Sequence, residues 1–339
     1  MFKRMNLQRF AGEPNTNLTS ELTAEMKTYY DMRLIDLAQP LLVHDQFGQK
    51  RSIPKNGGLE IEFRKYAPFA KATTPLTEGV TPDGLKLSVS TIKATVKQYG
   101  AYVTISDVLM LTAIDNNLVE AQNLLANQAG LTADTITRDI LCAGTNVQYW
   151  DGSVEARANL VGGDETADNN HYMNVRCLKR AARALKVQNT PLIDGSFVGI
   201  IHPDVAYDLT DDPEWKYPHQ YVDTEELYSG EIGKVANIRF VETTEAKKWA
   251  NAGKETTGGS SDRDVYATLI MGKDAYGVTD ITGGGLEFIV KQKGSSGTAD
   301  PLNQRATAGW KLMKTAEILV DQYMIRVETT SSFQDGKAN

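Results

Sequence analysis

The sequence predicts an α+β fold, in which helices and strands occupy separate stretches of the chain. Its 339 residues are 41% apolar, which is enough for about two domains with a hydrophobic core. Apolar residues recur at helical spacing across 107–144, the longest predicted helical region. The closing third contains alternating apolar runs divided by glycine-rich turns, a pattern typical of strands.

The N-terminal part of the chain predicts an arm followed by a helix. Residues 1–18 are polar and basic, a composition that favours a flexible arm. From 19 to 38, residues such as Leu22, Met26 and Leu34 recur at helical spacing, and Pro40 ends the pattern. Because no apolar core follows the basic start, the segment does not have the pattern of a secretion signal.

A long β-hairpin is predicted next. Residues 59–64 alternate as a half-buried strand does, and residues 85–89 alternate again on the return. The apolar phase then slips by one residue near 90–91, which predicts a bulge or a bend. Residues 65–84 contain three prolines and two glycines and can bury little. We interpret this stretch as a hairpin reaching away from the core, and the alternative is an irregular surface loop.

A strand over 99–106 leads into the longest helical region. Ser106 or Asp107 suits the N-cap of this helix, and Gly144 suits its end. A glycine costs about 1 kcal/mol in a helix interior, so we expect a kink or a break at Gly130.

An amphipathic helix is predicted over 171–188, with an apolar stripe on one side. Its basic face includes Arg176, Lys179, Arg180 and Arg183. Such a face is either simply solvated or contacts an acidic surface of a partner.

One acidic surface is predicted within the chain itself. Residues 208–231 contain eight acidic residues and one lysine, interleaved with aromatic residues. We expect this segment to avoid the core and to contact other subunits. The candidate contact residues in it are Trp215, Tyr217, Glu225 and Glu226. Since the acids do not follow the calcium-loop spacing, no metal site is predicted.

Motifs for catalysis or cofactor binding do not occur in the sequence. The four histidines are scattered, without H-E-x-x-H or G-x-S-x-G. His202 follows the apolar run 197–201 at the start of a predicted helix, and we interpret it as structural. The G-E-I-G-K stretch over 230–234 suggests a phosphate-binding loop, but its glycines are too close together. A strand is predicted over 235–241, where such a loop requires a helix. We therefore predict no enzymatic activity, no cofactor and no nucleotide.

Charge and cysteine content exclude further classes. The net charge of −7 and the pI of about 5.3 oppose tight, unassisted binding to nucleic acid. Cys142 and Cys177 are far apart, each in a predicted helix, and provide no disulfide framework. No stretch approaches the roughly 20 apolar residues of a membrane span.

The closing third predicts four strands, at 265–271, 286–291, 306–313 and 318–328. We expect the last two to pair with strands near 92–106. Residues 171–295 would then form an inserted second domain.

Six segments distributed along the chain carry a family resemblance. They are MNLQRFAGE at 5–13, TEGVTPDGLKLSVSTIKATVKQYGAYVTISD at 77–107, FVGIIHPDVAYDL at 197–209, LYSGEIGKVANIRFVET at 227–243, AYGVTDI at 275–281 and DPLNQRATAGWKLMKTAEILVDQYMIRVET at 300–329. Their order and spacing resemble the major capsid proteins of tailed bacteriophages, whose fold is called Hong Kong 97-like. The chain looks closest to the podophage major-capsid family named for the coliphage N-four.

The resemblance implies an order of domains. Residues 1–45 would be an N-terminal arm and helix, and 46–98 an extended hairpin, the E-loop, lying over a neighbouring subunit. Residues 99–150 and 300–339 would form the peripheral domain with its spine helix, and 151–299 the axial domain.

The resemblance also implies a function in assembly. Copies of the chain would form hexamers and pentamers of an icosahedral head shell that encloses double-stranded DNA, contacted non-specifically. The charged hairpin residues Lys65, Lys71, Glu78 and Asp83 would then be candidate contacts between subunits. The predicted helix begins near Thr19, which leaves no room for a long fused scaffolding segment and suggests a separate scaffolding protein. A portal and possible decoration proteins would be further partners.

The implied location is the virion capsid, assembled in the bacterial host cytoplasm. Two rival interpretations stay open from the sequence. One is an encapsulin-like compartment, which shares the fold but encloses cargo enzymes. The other is an enzyme of unknown class.

Overall fold

The computed structural model describes residues 42–66, 69–81, 83–112, 117–163, 170–215, 233–255, 262–281, 285–295 and 300–339. The predicted arm and the helix over 19–38 lie outside the described residues. The chain divides into two compact units. The first includes Gly100–Ala129 and Leu286–Lys311, and the second includes Pro40–Tyr99, Gly130–Gly285 and Leu312–Asn339.

An eight-stranded sheet forms the centre of the second unit. Its strands are β5 (Val147–Tyr149), β6 (Val161–Gly162), β7 (Phe197–Ile201), β8 (Lys234–Val235), β9 (Ile238–Glu242), β10 (Lys248–Glu255), β11 (Asp262–Met271) and β15 (Met324–Thr330). They lie in the order β5–β15–β11–β7–β9–β8, and β10 pairs with β11 and β6. Within this mixed sheet, β7 is parallel to β9 and antiparallel to β11.

Helices α3 (Val175–Val187) and α4 (Pro203–Asp211) contribute to a core cluster with strand β7. The predicted apolar stripe of α3 is buried, and Leu178 and Leu185 pack with Leu209 of α4 in this cluster. Asn174 caps α3 by accepting a hydrogen bond from the Cys177 amide. Every residue of β7 is buried, because Phe197 and Ile201 belong to this cluster while neighbouring residues belong to a second one. A strand covered on both faces has an unbroken apolar sequence, and the prediction of β7 rested on that run.

Five further strands pair within the two units. They are β1 (Gln49–Ile53), β4 (Lys97–Ser106), β12 (Tyr276–Ile281), β13 (Glu287–Lys291) and β14 (Arg305–Ile318). In the first unit, residues 307–311 of β14 pair with β13, and β14 also pairs with β4. In the second unit, residues 314–318 of β14 pair with β12, which is parallel to β1.

The predicted hairpin strands are β2 (Glu60–Tyr66) and β3 (Val89–Thr95), which form a two-stranded antiparallel sheet. Of the bulge or bend predicted near 90–91, the bulge is wrong, because pairing is regular from Tyr66–Val89 to Glu60–Thr95. The apolar phase changes there because residues 85–88 lie outside the strand, so their alternation has no buried face to match.

Two helices occupy the region predicted as the spine, α1 (Asp107–Thr112) and α2 (Asn117–Leu141). Of the two predicted N-cap residues, Ser106 and Asp107, the cap is Ser106, since its Oγ accepts a hydrogen bond from the Leu109 amide at 3.3 Å. The predicted break at Gly130 is wrong, because α2 continues through this buried glycine. A helix packed against the rest of a protein can absorb the roughly 1 kcal/mol cost of one glycine.

The predicted pairing of the closing strands is correct for one strand and wrong for the other. Strand β14 pairs with β4, as expected. Strand β15 instead joins the eight-stranded sheet between β5 and β11. All seven of its residues are buried, and it pairs with β5 on one side and β11 on the other. The hydrophobic pattern of β15 itself does not identify these two neighbouring strands.

Candidate intersubunit surfaces

The hairpin exposes nearly its whole length. Every described residue of 64–66, 69–81 and 83–91 is exposed, including seven large apolar ones: Tyr66, Phe69, Leu76, Val80, Leu85, Leu87 and Val89. The candidate contacts Lys65, Lys71, Glu78 and Asp83 are exposed with them. Within the described part of strands β2 and β3, one ion pair joins Lys93 to Glu62 at 3.1 Å. A concentration of exposed large apolar side chains is typical of a binding surface.

A second exposed apolar surface lies on helix α1, and the sequence analysis did not predict it. Val108, Leu109, Met110 and Leu111 are four consecutive apolar residues, and all four are exposed. Four consecutive positions span all sides of a helix, so they cannot all face one core. That spacing was the available signal in the sequence.

The basic face of α3 already has partners within its own chain. Arg176 lies 3.1 Å from Asp151, and Lys179 Nζ lies 2.6 Å from a Glu214 carboxylate oxygen. Arg180 reaches the Gly152 carbonyl oxygen at 3.5 Å, while Arg183 is exposed. Three of the four predicted residues therefore have intrachain contacts, and Lys179 meets the acidic segment as part of one subunit.

The pKa of the Asp151 carboxyl is lowered in part by the positive charge of this face. Burial alone would raise the pKa of its carboxyl, but hydrogen bonds from Ser153 and the charges of Arg176 and Arg180 outweigh burial. The net result is a pKa below the ordinary aspartate value. The carboxylate therefore stays charged and holds the start of the basic face in place.

The prediction that the acidic segment avoids the core is wrong for Trp215. Its side chain is 6% exposed and belongs to the core cluster that also includes α3 and α4. Asp212 explains this position, because its carboxylate accepts hydrogen bonds from the Val175 amide at 2.7 Å and the Glu214 amide at 2.8 Å. The chain thus turns back onto α3 directly after α4. Tyr217, Glu225 and Glu226 lie outside the described residues.

Lys234, the lysine of the G-E-I-G-K stretch, belongs to a tight β-hairpin. Strands β8 and β9 are joined by Ala236 and Asn237, whose φ angles of 52° and 70° fit a two-residue turn. The predicted strand over 235–241 is therefore interrupted, and it resumes at Ile238. Lys234 Nζ contacts the Gly195 carbonyl oxygen at 3.4 Å. Because a strand follows this turn, the helix N-terminus that phosphate binding requires is missing at 233–242.

The histidines of the described region make structural contacts. His202 caps α4, with its Nδ1 accepting a hydrogen bond from the Asp204 amide at 3.2 Å. Burial lowers the pKa of His202 despite the nearby Asp204 carboxylate, so the ring is neutral and can accept this bond. His44 Nδ1 lies 2.6 Å from Asp134 Oδ2, and both side chains are completely buried. No substrate could reach a pair enclosed in this way.

Reactive or metal-binding groups do not stand out in the described part of the chain. No group of three or more His, Cys, Asp or Glu residues there could hold a metal ion. Cys142 and Cys177 are free and buried, and burial raises the pKa of each thiol to about 12. Such thiols remain protonated at neutral pH and are poor nucleophiles.

None of the helices within the described residues combines the length and the apolar character needed to cross a bilayer.

Comparison with known proteins gives consistent matches. The family model for phage capsid proteins matches residues 49–296. No curated protein matches the sequence. The structure is similar to the capsid of Ralstonia phage GP4, with a TM-score of 0.59 and 16% identity over 86% of this chain and 89% of that one. It is also similar to the capsid of Cyanophage P-SCSP1u, with a TM-score of 0.58 and 17% identity over 83% and 86% of the two chains. At such low identity these similarities concern the fold, and they confirm the predicted α+β capsid fold.

Proposed function

The chain belongs to the phage capsid protein family, and from this premise we propose that it is a major capsid protein whose copies form hexamers and pentamers of an icosahedral shell around double-stranded DNA. Members of this family are structural proteins and not enzymes. The observation that carries the proposal is the hairpin, whose seven large apolar side chains are exposed and are not buried in the core of the subunit. A single family match does not distinguish branches, so the assignment to the N-four branch stays a prediction.

The hairpin is the proposed arm between subunits. In the described part of the chain its two strands pair with each other alone, and the described residues beyond them are exposed. An arm of this kind adds buried contact area in the assembly without enlarging the subunit core. The charged residues Lys65, Lys71, Glu78 and Asp83 would lie at the polar rim of that contact.

We also retain the domain order implied by the resemblance. The arm and helix comprise 1–45, the extended hairpin 46–98, the peripheral domain 99–150 with 300–339, and the axial domain 151–299. The long helix α2 supports the first part of the peripheral domain.

The charge of the chain suits a container for nucleic acid. With a net charge of −7, the subunit as a whole does not attract phosphates, so DNA can enter and leave without being held tightly. A separate scaffolding protein, a portal and possible decoration proteins are the proposed partners. Assembly in the cytoplasm of the bacterial host, followed by residence in the virion, completes the proposal.

Electron microscopy of the expressed chain, alone and with the products of neighbouring genes, tests the function directly. Closed shells made of rings of this subunit are expected, and a chain that stays monomeric under all conditions would contradict the proposal. A variant lacking 66–84 should melt as cooperatively as the wild type but form no shells. Normal particles from that deletion variant would show that the hairpin is not the arm.

A further inference from the structure

A basic groove runs beside helix α3 in the second unit. It is lined by Lys179, Ala182, Arg183, Lys186 and Val187 of α3 and by Ala236 and Asn237 of the β8–β9 turn, with a volume of about 500 Å³. Three cationic side chains therefore surround a floor of small and apolar residues. Val187 is one of these lining residues and is 61% exposed.

We propose that this basic groove binds the acidic segment 216–232 of a second copy of the chain. The proposal rests on the proposed function, because it requires that copies assemble. It identifies one specific contact within that assembly and the chemistry that holds it.

The cations of the groove are only partly paired within the described residues. Lys179 lies at one end and binds Glu214, the last acidic residue before the segment. Arg183 and Lys186 are exposed, with no ion pair to any described residue. Two cations beside an exposed apolar floor favour an occupant that carries both carboxylates and apolar or aromatic groups.

The segment 216–232 has that composition. It contains four acidic residues, Asp223, Glu225, Glu226 and Glu231, against one lysine, together with three tyrosines. Carboxylates can pair with the arginine fork of Arg183, and tyrosine rings can cover the apolar floor while keeping their hydroxyl groups wet. Both charge and amphipathic character are thus complementary to the groove.

A second copy can be reached by a segment of this length. Its two ends are anchored at Trp215, which is buried, and at Gly233, which leads into β8. Seventeen residues between fixed ends can extend outward by about 28 Å, half of their fully extended length of roughly 56 Å. A basic groove and an acidic segment on the same chain also form a head-to-tail pair, the type of contact that closes rings of identical subunits.

Two charge-reversed variants test the proposal. The groove variant carries Arg183→Glu and Lys186→Glu, and the segment variant carries Glu225→Lys and Glu226→Lys. Each alone places like charges at every contact, so we expect its shell yield to fall at least about tenfold. Melting curves equal to the wild-type curve would show that both variants fold.

Co-expression of the two variants distinguishes a contact between neighbouring chains from a contact within one chain. In a mixed ring with alternating variants, every acidic groove faces a basic segment and every basic groove faces an acidic segment. Shells should therefore return. The rescue should be partial, because a five-membered ring cannot alternate the two variants completely. All four substitutions in one chain should restore assembly as well.

Three results would overturn the inference. Rescue by the four-fold variant but not by co-expression would mean that the segment occupies the groove of its own chain. Wild-type yields from each single-surface variant would mean that the groove is merely solvated. Normal but DNA-free shells from the groove variant would assign the groove to nucleic acid. Failure of the wild type to form shells would instead refute the proposed function.

Disulfide trapping gives an independent measurement. The pair Arg183→Cys and Glu226→Cys, combined in one chain, should yield covalent oligomers from assembled protein on a non-reducing gel. The two native cysteines are buried and give little background. A matched pair, Arg183→Cys with Lys337→Cys at an exposed position outside the candidate contacts, should stay monomeric. Equal cross-linking of both pairs, or none with Glu226→Cys, would contradict the assignment.

Discussion

Replacing Leu76, Leu85 and Leu87 by serine should abolish shells without unfolding the subunit. The three side chains are 78%, 67% and 69% exposed in the free chain, so they contribute little to its core. Fully burying a leucine gains about 1.5–3 kcal/mol, and most of that gain is still available to a neighbouring subunit. Each residue therefore offers about 1–2 kcal/mol to assembly, and the three together about 3–6 kcal/mol per subunit.

That loss corresponds to a fall of about 10²–10⁴-fold in the association constant of each subunit contact. The concentration at which shells first appear should rise by a similar factor. Light scattering across a dilution series measures this threshold, and negative-stain images identify the particles. The melting temperature of the unassembled subunit should change by no more than about 2 °C, as expected for exposed positions.

Thr74→Ser on the same hairpin is the matched control, because Thr74 is also exposed and the change removes a single methyl group. It should leave the threshold close to that of the wild type. If the triple variant assembles at less than about ten times the wild-type threshold, the hairpin does not supply the expected apolar contact. A large drop in melting temperature would show instead that these leucines stabilise the subunit.

Three further predictions concern single residues. Trp215→Ala should lower the free energy of unfolding by about 3–5 kcal/mol in chemical denaturation, while Trp215→Phe should cost much less; a loss below about 1 kcal/mol for alanine would contradict its core role. Burial lowers the folded-state pKa of His202 from about 6.5, so the unfolded state binds a proton first and stability should fall as the pH drops below about 6.5. His202→Asn keeps a cap acceptor that does not titrate and should flatten this slope, and an unchanged slope would rule out His202 as its source. Lys234→Ala should leave ATP titrations unchanged, and a micromolar affinity lost in the variant would refute the absence of a nucleotide site.

Sequence reasoning identified elements whose signal is local. Helix α3 has an apolar stripe, and β7 has an uninterrupted apolar run followed by a histidine and a proline. These features depend on neighbours within a few residues, so composition and spacing were sufficient. The hairpin was predicted for the same reason, from two alternating runs around a stretch rich in proline and glycine.

Pairing across the sheets was predicted for β14 with β4, but other partners could not be predicted in this way. Strand β15 contains Glu328, whose buried carboxylate binds Arg157 at 2.6 Å and Arg326 at 2.8 Å. Those ion pairs permit a charged residue inside a fully buried strand, which hides the apolar pattern that would indicate the large sheet. The short strand β1 pairs in parallel with β12, more than 200 residues away, and neither sequence identifies the other.

The candidate surfaces were predicted with similar limits. The basic face of α3 was found from helical spacing, but its intrachain partners Asp151 and Glu214 depend on the folded chain. Trp215 was misassigned because an acidic neighbourhood suggested exposure. The Asp212 hydrogen bonds that turn this tryptophan inward involve the start of α3, 37 residues away in sequence.

The hairpin has a mechanical consequence as well as a chemical one. Among the described residues, strands β2 and β3 form a ribbon with no third strand, so one ladder of hydrogen bonds resists bending there. Two-stranded ribbons twist more strongly than wide sheets and can change curvature at little cost. Such a ribbon bends more easily than the core of the subunit. Identical chains could then contact their neighbours at several angles while the core keeps its shape.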